Sequence, residues 1–223
     1  AVEEGRGVFD NLTKFITWTL PTNGGEGLVI MVAIFLGASL PILPLQILWI
    51  NMTTALLLGL TLAFEPKEPG IMTRQPRDPK EPILTRALIF RIVLVSILLL
   101  IGAFGLFEME LRSSGNEDLA RTMAVNTFVF GEMFYLFNCR SLTRSFWQLG
   151  VFSNVWLWGG VIVMTGLQVL FTYAPVFNTI FLSHPMGIVH WAMVLGYSAL
   201  ISLITGMEKL ARRRRYEARQ RSF

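Results

Sequence analysis

Apolar runs of membrane-spanning length set the limits on what this chain can become. Six stretches of roughly 18–25 mostly apolar residues follow one another, each long enough to cross a hydrocarbon layer that takes about 20 residues of helix. Only 15% of the residues are charged, and the mean hydropathy is +0.55. Backbone polar groups in lipid must be satisfied within their own segment, so the runs predict helices. The expected fold is all-α: a polytopic membrane bundle of six transmembrane helices, with spans at about 15–40, 45–64, 88–107, 120–137, 155–173 and 189–207.

The charges lie between the runs. Residues 1–14 hold Glu3, Glu4, Arg6, Asp10 and Lys14 at irregular helical spacing and predict a helical lead-in that runs into the first span. Residues 65–85 form a polar, proline-rich loop with Pro66, Pro69, Pro76, Pro79 and Pro82 beside Lys67, Arg74, Arg77 and Lys80. Residues 208–223 form a basic tail. If the N-terminus is cytoplasmic, all of the 19 Lys and Arg except Arg112 and Arg121 fall on the inner side. That bias puts both termini in the cytoplasm, and an even number of spans demands that they share a side.

Other classes fit poorly. The net charge of +4 sits beside spans and is not interleaved with aromatics on one soluble face, so nucleic acid is not an expected partner. A lone cysteine, Cys139, can form no internal disulfide or metal cluster. His184 and His190 have no Cys or acidic partner at metal-ligand spacing. The start, Ala1-Val2-Glu3-Glu4, lacks an initiator Met and the basic region of a signal peptide, and predicts a piece of a longer polypeptide.

Within the spans a few polar residues stand out, because a carboxylate at membrane depth costs on the order of 3 kcal/mol unless it is paired or faces a wet cavity. Glu26 sits in Asn23-Gly24-Gly25-Glu26-Gly27, just after Pro21. Proline and glycine there either break the helix and free carbonyls for an ion, or let a neighbouring helix pack closely. Asn51 and Thr54 lie three apart in the second span, the spacing of Asn23 and Glu26 in the first. Glu132 lies past the midpoint of the fourth span, where a carboxylate can snorkel to water or serve as a ligand. Hard cations such as calcium take six to eight oxygens from carboxylates, amides and carbonyls. Asn23, Glu26, Asn51, Thr54 and Glu132 are therefore the candidate cation ligands, and interhelical hydrogen bonding is the alternative for each. Asn126 and Gln168 are read as bundle contacts.

Four segments together carry a family resemblance: Ala1-Val2-Glu3-Glu4-Gly5-Arg6, Asn23-Gly24-Gly25-Glu26, Leu48-Trp49-Ile50-Asn51-Met52-Thr53-Thr54, and Glu65-Pro66-Lys67-Glu68-Pro69-Gly70-Ile71-Met72-Thr73-Arg74-Gln75-Pro76-Arg77. Their order resembles the carboxy-terminal membrane half, helices five to ten, of type II P-type cation-transporting ATPases, in particular the bacterial calcium pumps. The resemblance implies that the five candidates occupy the family's ion-ligand positions. It also implies ATP and magnesium in the full-length pump, a bacterial plasma membrane location, and contact with membrane lipid and with the missing N-terminal helices and cytoplasmic domains. The proline-rich loop would touch the catalytic domain.

The chain departs from the family at one point. Calcium pumps of this kind place Asp, Gly and Pro after the residue that Thr54 matches, unwinding the helix and sharing a carboxylate between two calcium ions. Here the residues are Ala55-Leu56-Leu57. The resemblance thus implies calcium first, as a single divalent ion, with sodium or potassium as the runner-up; a non-transporting scaffold or accessory subunit is the rival from another class. The family's Asp-Lys-Thr-Gly-Thr phosphorylation motif is absent from these residues, so this segment alone is expected neither to hydrolyse ATP nor to pump. The Arg212-Arg213-Arg214-Arg215 run is expected to anchor on anionic lipid, at roughly 1 kcal/mol per residue near the surface.

Overall fold

The computed structural model describes residues 1–68, 70–73, 82–141 and 149–221, with the backbone alone over 215–221. Pro69, Arg74, Pro76, Arg77, Pro79 and Lys80 of the proline-rich loop, and Arg144, lie outside the described residues. Regular structure among the described residues is helical: α1 (Val2–Leu36), α2 (Pro44–Leu57), a 3-10 segment (Gly59–Phe64), α3 (Arg86–Ser114), α4 (Glu117–Cys139), α5 (Val155–Tyr173), α6 (Pro175–Phe181) and α7 (Ile188–Arg221). Five of these segments are long and apolar enough to cross a membrane: α1, Pro44–Phe64, α3, α5 and Ile188–Arg214. Their apolar side chains largely face outward, Phe35 at 82% and Ile188 at 83% exposure.

Helix α4 differs from these five for a physical reason. It is 23 residues long and most of it is buried, including Thr122, Asn126, Thr127 and Glu132. It packs against α3 on one side and α7 on another, and also touches α1, α2 and α5. A helix sheathed by other helices needs no lipid-facing stripe, so it can carry polar groups that lower its hydropathy.

The lead-in and first span form one helix. Of the two roles open to Pro21 and the glycines, a helix break is not what occurs: α1 continues through Pro21, Gly24 and Gly25. Pro21 has no N–H for the carbonyl of Thr17, and that oxygen instead accepts a bond from the Tyr135 hydroxyl of α4 at 3.0 Å. The Pro21 carbonyl accepts from Ser96 Oγ of α3 at 2.9 Å. A side chain at Gly24 would meet Ser96 Oγ at 2.7 Å, and one at Gly25 would meet Leu99 and Phe128. The small residues therefore bring α1 close to α3 and α4 and do not free backbone carbonyls.

The second span changes its winding. Ala55-Leu56-Leu57 continues α2, and only after Leu58 do i+3 bonds take over, with Thr61 N donating to Leu58 O at 3.1 Å. Gly160 of α5 approaches this junction so closely that a Cβ there would collide with the Leu57 carbonyl oxygen. Backbone cannot yield as a side-chain tip can. Gly160→Ala should cost about 1–3 kcal/mol, read as a lower thermal midpoint in detergent, whereas Gly166→Ala, with open space at its Cβ, should leave the midpoint within error or raise it.

The connection between α5 and α7 holds the short helix α6. Its Phe177 and Phe181 pack with Phe171 around Trp49 of α2, at ring distances of 5.1–5.9 Å. Helix α7 runs without interruption from its apolar part into the basic tail.

Candidate functional site

Glu26, Asn51, Thr54 and Glu132 meet where α1, α2 and α4 come together. Glu26 is 5% exposed, and its Oε2 accepts a 2.6 Å bond from Asn51 Nδ2. The same amide nitrogen donates to Ile47 O at 3.2 Å, which ties it to its own helix. Thr54, one turn further along α2 and 3% exposed, lies beside the Glu132 carboxylate. Glu132 in turn lies within electrostatic reach of Glu26.

Two buried carboxylate oxygens, Glu26 Oε1 and Glu132 Oε2, have no hydrogen-bond partner among the described residues. Like charges buried side by side repel, and a cation between them converts the repulsion into attraction. Carboxylate, amide and hydroxyl oxygens suit a hard cation. No group of three or more His, Cys, Asp or Glu able to hold a metal occurs among the described residues. The negative charge of the site thus rests on two carboxylates.

Two sequence expectations need adjusting. Glu132 does not snorkel: it is 2% exposed, and its backbone carbonyl accepts from Trp18 Nε1 at 3.0 Å, which locks α4 to α1 at the site. Asn23, although three residues from Glu26, is exposed, and the structure does not bring it to the other four. Its face of α1 is left uncovered by the described residues.

Asn126 and Gln168 act as bundle contacts. Asn126 Nδ2 donates to Thr122 O and Thr172 Oγ1, and Gln168 Oε1 accepts from Trp49 Nε1 at 3.3 Å. His190 does find an acidic neighbour, Glu110 of α3, with Nε2 3.5 Å from Oε2. That contact joins residues eighty positions apart and leaves no spacing signal in the sequence.

The loop after the second span is fastened to the lead-in of α1. Asn11 Nδ2 donates to Ala63 O and Glu65 O, Arg6 Nη1 donates to Ile71 O at 2.8 Å, and Lys67 pairs with Glu3 and Glu4. The hydrogen bond that Lys67 donates to Glu4 holds the pKa of its ammonium above the ordinary value. On the other side, Glu65 is bonded by Arg140 and Asn154. Sequence reasoning missed this buried pair, and it also missed Arg91 of α3 with Glu208 of α7. Arg91 had a visible signal, a charge three residues inside an apolar run.

Residues 39–211 match the family described as cation transporting ATPase, C-terminus. The chain belongs to the P-type cation-transporting ATPases. As a part of such an ATPase it is an integral, multi-pass membrane protein. It is 57% identical over 210 residues to "Probable cation-transporting ATPase F" of Mycobacterium tuberculosis, covering 94% of this chain and 23% of that protein. It is 42% identical to a cation-transporting ATPase of Synechocystis, over 87% of this chain and 22% of that one. A calcium-transporting ATPase of Bacillus subtilis is 33% identical, over 96% and 24% respectively. The chain thus spans about a quarter of the length of these relatives.

Proposed function

We propose that this ATPase chain supplies the last six membrane crossings of an ATP-driven cation pump and contributes Glu26, Asn51, Thr54 and Glu132 to its transport site. The observation that carries this reading is the pair of buried carboxylates on α1 and α4, within electrostatic reach of each other and each with one oxygen that has no hydrogen-bond partner among the described residues. In this reading α4 is also a crossing, the fourth of the six, shielded from lipid by its neighbours, and both termini are cytoplasmic, which agrees with the distribution of Lys and Arg. The membrane is the bacterial plasma membrane.

Asn23, on the uncovered face of α1, joins the site through helices from the rest of the pump, which also bring further oxygens. ATP and magnesium act in cytoplasmic domains outside these residues. The bonds of Arg6, Asn11 and Lys67 make the loop and the lead-in of α1 one mechanical unit. A movement imposed there by the catalytic domain would reach Glu26 along α1 and Asn51 along the second span together.

The cargo is calcium in this reading, supported by the oxygen donors and by the calcium-transporting name of the Bacillus relative. With Ala55 contributing no charge, one ion per cycle is expected. The test is phosphoenzyme formation and radiolabelled uptake by the full-length protein in inside-out vesicles, across calcium, sodium and potassium. Calcium-dependent phosphorylation with one ion carried per phosphate supports the reading. Dependence on sodium or potassium transfers the site to the runner-up, and phosphorylation indifferent to every cation, with no uptake, would return the chain to the scaffold class.

A further inference from the structure

The first turn of α7 is closed by a histidine. A helix leaves its first backbone N–H groups without intrahelical partners, and one remedy is a Glu or Gln at the third helical position that reaches back to the residue before the helix. Helix α7 begins at Ile188, so Gly187 precedes it and His190 holds that third position. His190 Nδ1 accepts from the Gly187 backbone N–H at 3.0 Å, and the Gly187 carbonyl accepts from Trp191 N at 3.2 Å. A ring nitrogen accepts only through a bare lone pair, so this bond places the single proton of the neutral ring on Nε2. That nitrogen lies 3.5 Å from Glu110 Oε2 of α3. One side of the ring therefore serves α7, and the other faces α3.

The His190 side chain is 25% exposed and that of Glu110 9%, so solvent protons reach a contact that is otherwise covered. The other charges at this end of the bundle are engaged elsewhere. On α3, Glu108 pairs with Arg112 at 3.1 Å. At the start of α4, Arg121 takes both Glu117, at 2.6 Å, and Asp118, at 3.6 Å, and donates to Leu40 O. On α5, the Tyr173 hydroxyl donates to Met186 O and accepts from Trp191 Nε1, each at 2.7 Å. His184 holds its Nδ1 3.0 Å from the Pro185 carbonyl. Glu110 is thus the carboxylate that meets His190 among the described residues. Trp191, next in the chain, packs edge-on against Phe130 of α4 at 5.4 Å between ring centres, two residues before Glu132.

We propose that His190 and Glu110 form a proton-sensing switch at the start of α7. A proton from solvent binds Nδ1 and displaces the Gly187 N–H, and the resulting imidazolium turns the Nε2 contact with Glu110 into an ion pair. The first turn of α7 loses a cap and gains a charged tie to α3. Histidine is the side chain suited to such an exchange, because its charge changes between about pH 5 and 8. Trp191 lies in the same turn, so the exchange bears on Phe130 and on the part of α4 that carries Glu132. In the topology proposed above this end faces away from the cytoplasm, and the switch responds to external acid. Only that sidedness rests on the topology.

The test is hydrogen–deuterium exchange at the Gly187 amide, read at single-residue resolution in the full-length protein at about pH 7.5 and about pH 5.5, on either side of histidine titration. Rates are corrected for the intrinsic pH dependence of exchange. The measurement needs neither transport nor a known orientation, so its failure is distinct from failure of the transport reading. In wild type the corrected rate should rise about fivefold at the lower pH, the worth of one hydrogen bond. His190→Gln keeps an acceptor at the capping position and cannot titrate, so its corrected rate should be the same at both pH values. Glu110→Gln, which removes the anion that the imidazolium pairs with, should show a smaller rise than wild type. A wild-type rate that does not change with pH, a rise in His190→Gln equal to that of wild type, or an undiminished rise in Glu110→Gln would overturn the proposal.

Discussion

Glu26→Gln in the full-length pump is expected to lower apparent cation affinity about 10- to 100-fold and leave the fold intact. Glutamine keeps the shape of the side chain and an oxygen for Asn51 Nδ2, so the α1 to α2 contact seen at 2.6 Å survives. What disappears is one of the two negative charges. Hydrogen bonds and contacts to a charged group are worth about 1.5–3 kcal/mol, which gives that range of affinity at 1.4 kcal/mol per tenfold. The measurement is the cation concentration that half-activates phosphorylation from ATP, with thermal stability in detergent as the control. Glu132→Gln should act alike, and the two changes together should exceed their sum if both carboxylates face one ion. Unchanged half-activation in Glu26→Gln, with the protein stable, would mean that the carboxylate only joins helices.

The sequence made some parts of this molecule easy to read and concealed others for definite reasons. Apolar run length placed α3, α5 and the second span, because lipid contact imposes a composition that survives in any order of residues. The role of Pro21 and the glycines did not follow. Whether they break a helix or let another approach depends on what stands opposite, and Tyr135 and Ser96 lie more than seventy residues away. Polar residues in α4 marked Glu132 as a candidate, but only the three-dimensional packing gives it Thr54 and Glu26 as neighbours. Spacing put Asn23 and Glu26 on adjacent turns. Since a helix face cannot report which side is covered, the exposure of Asn23 had no signal.

The second large effect should come from Arg140, at the end of α4 two turns beyond Glu132. Arg140 is fully buried and spends its guanidinium on Glu65 Oε1 at 2.8–3.0 Å, on the carbonyls of Gly150 and Val151 at 3.3 Å, and on Ser153 Oγ. Asn154 holds the other oxygen of Glu65 at 2.7 Å and reaches Thr61 O, while its own Oδ1 caps α5. The cluster thus clamps the end of the second span to the ends of α4 and α5. Arg140→Met would fit the space but strand the Glu65 charge, 2% exposed at its side chain, without its cation. Breaking one side of a buried pair costs about 3–5 kcal/mol. The expected result is a large fall in the detergent thermal midpoint of the full-length protein. Arg140→Lys should fail to restore it, because one ammonium cannot reproduce the planar fork. Adding Glu65→Gln to Arg140→Met should recover part of the loss, since the stranded charge is then gone. A fall in Arg140→Met of less than about 1 kcal/mol, the range of an exposed pair, would show that water reaches Glu65 and that the clamp contributes little.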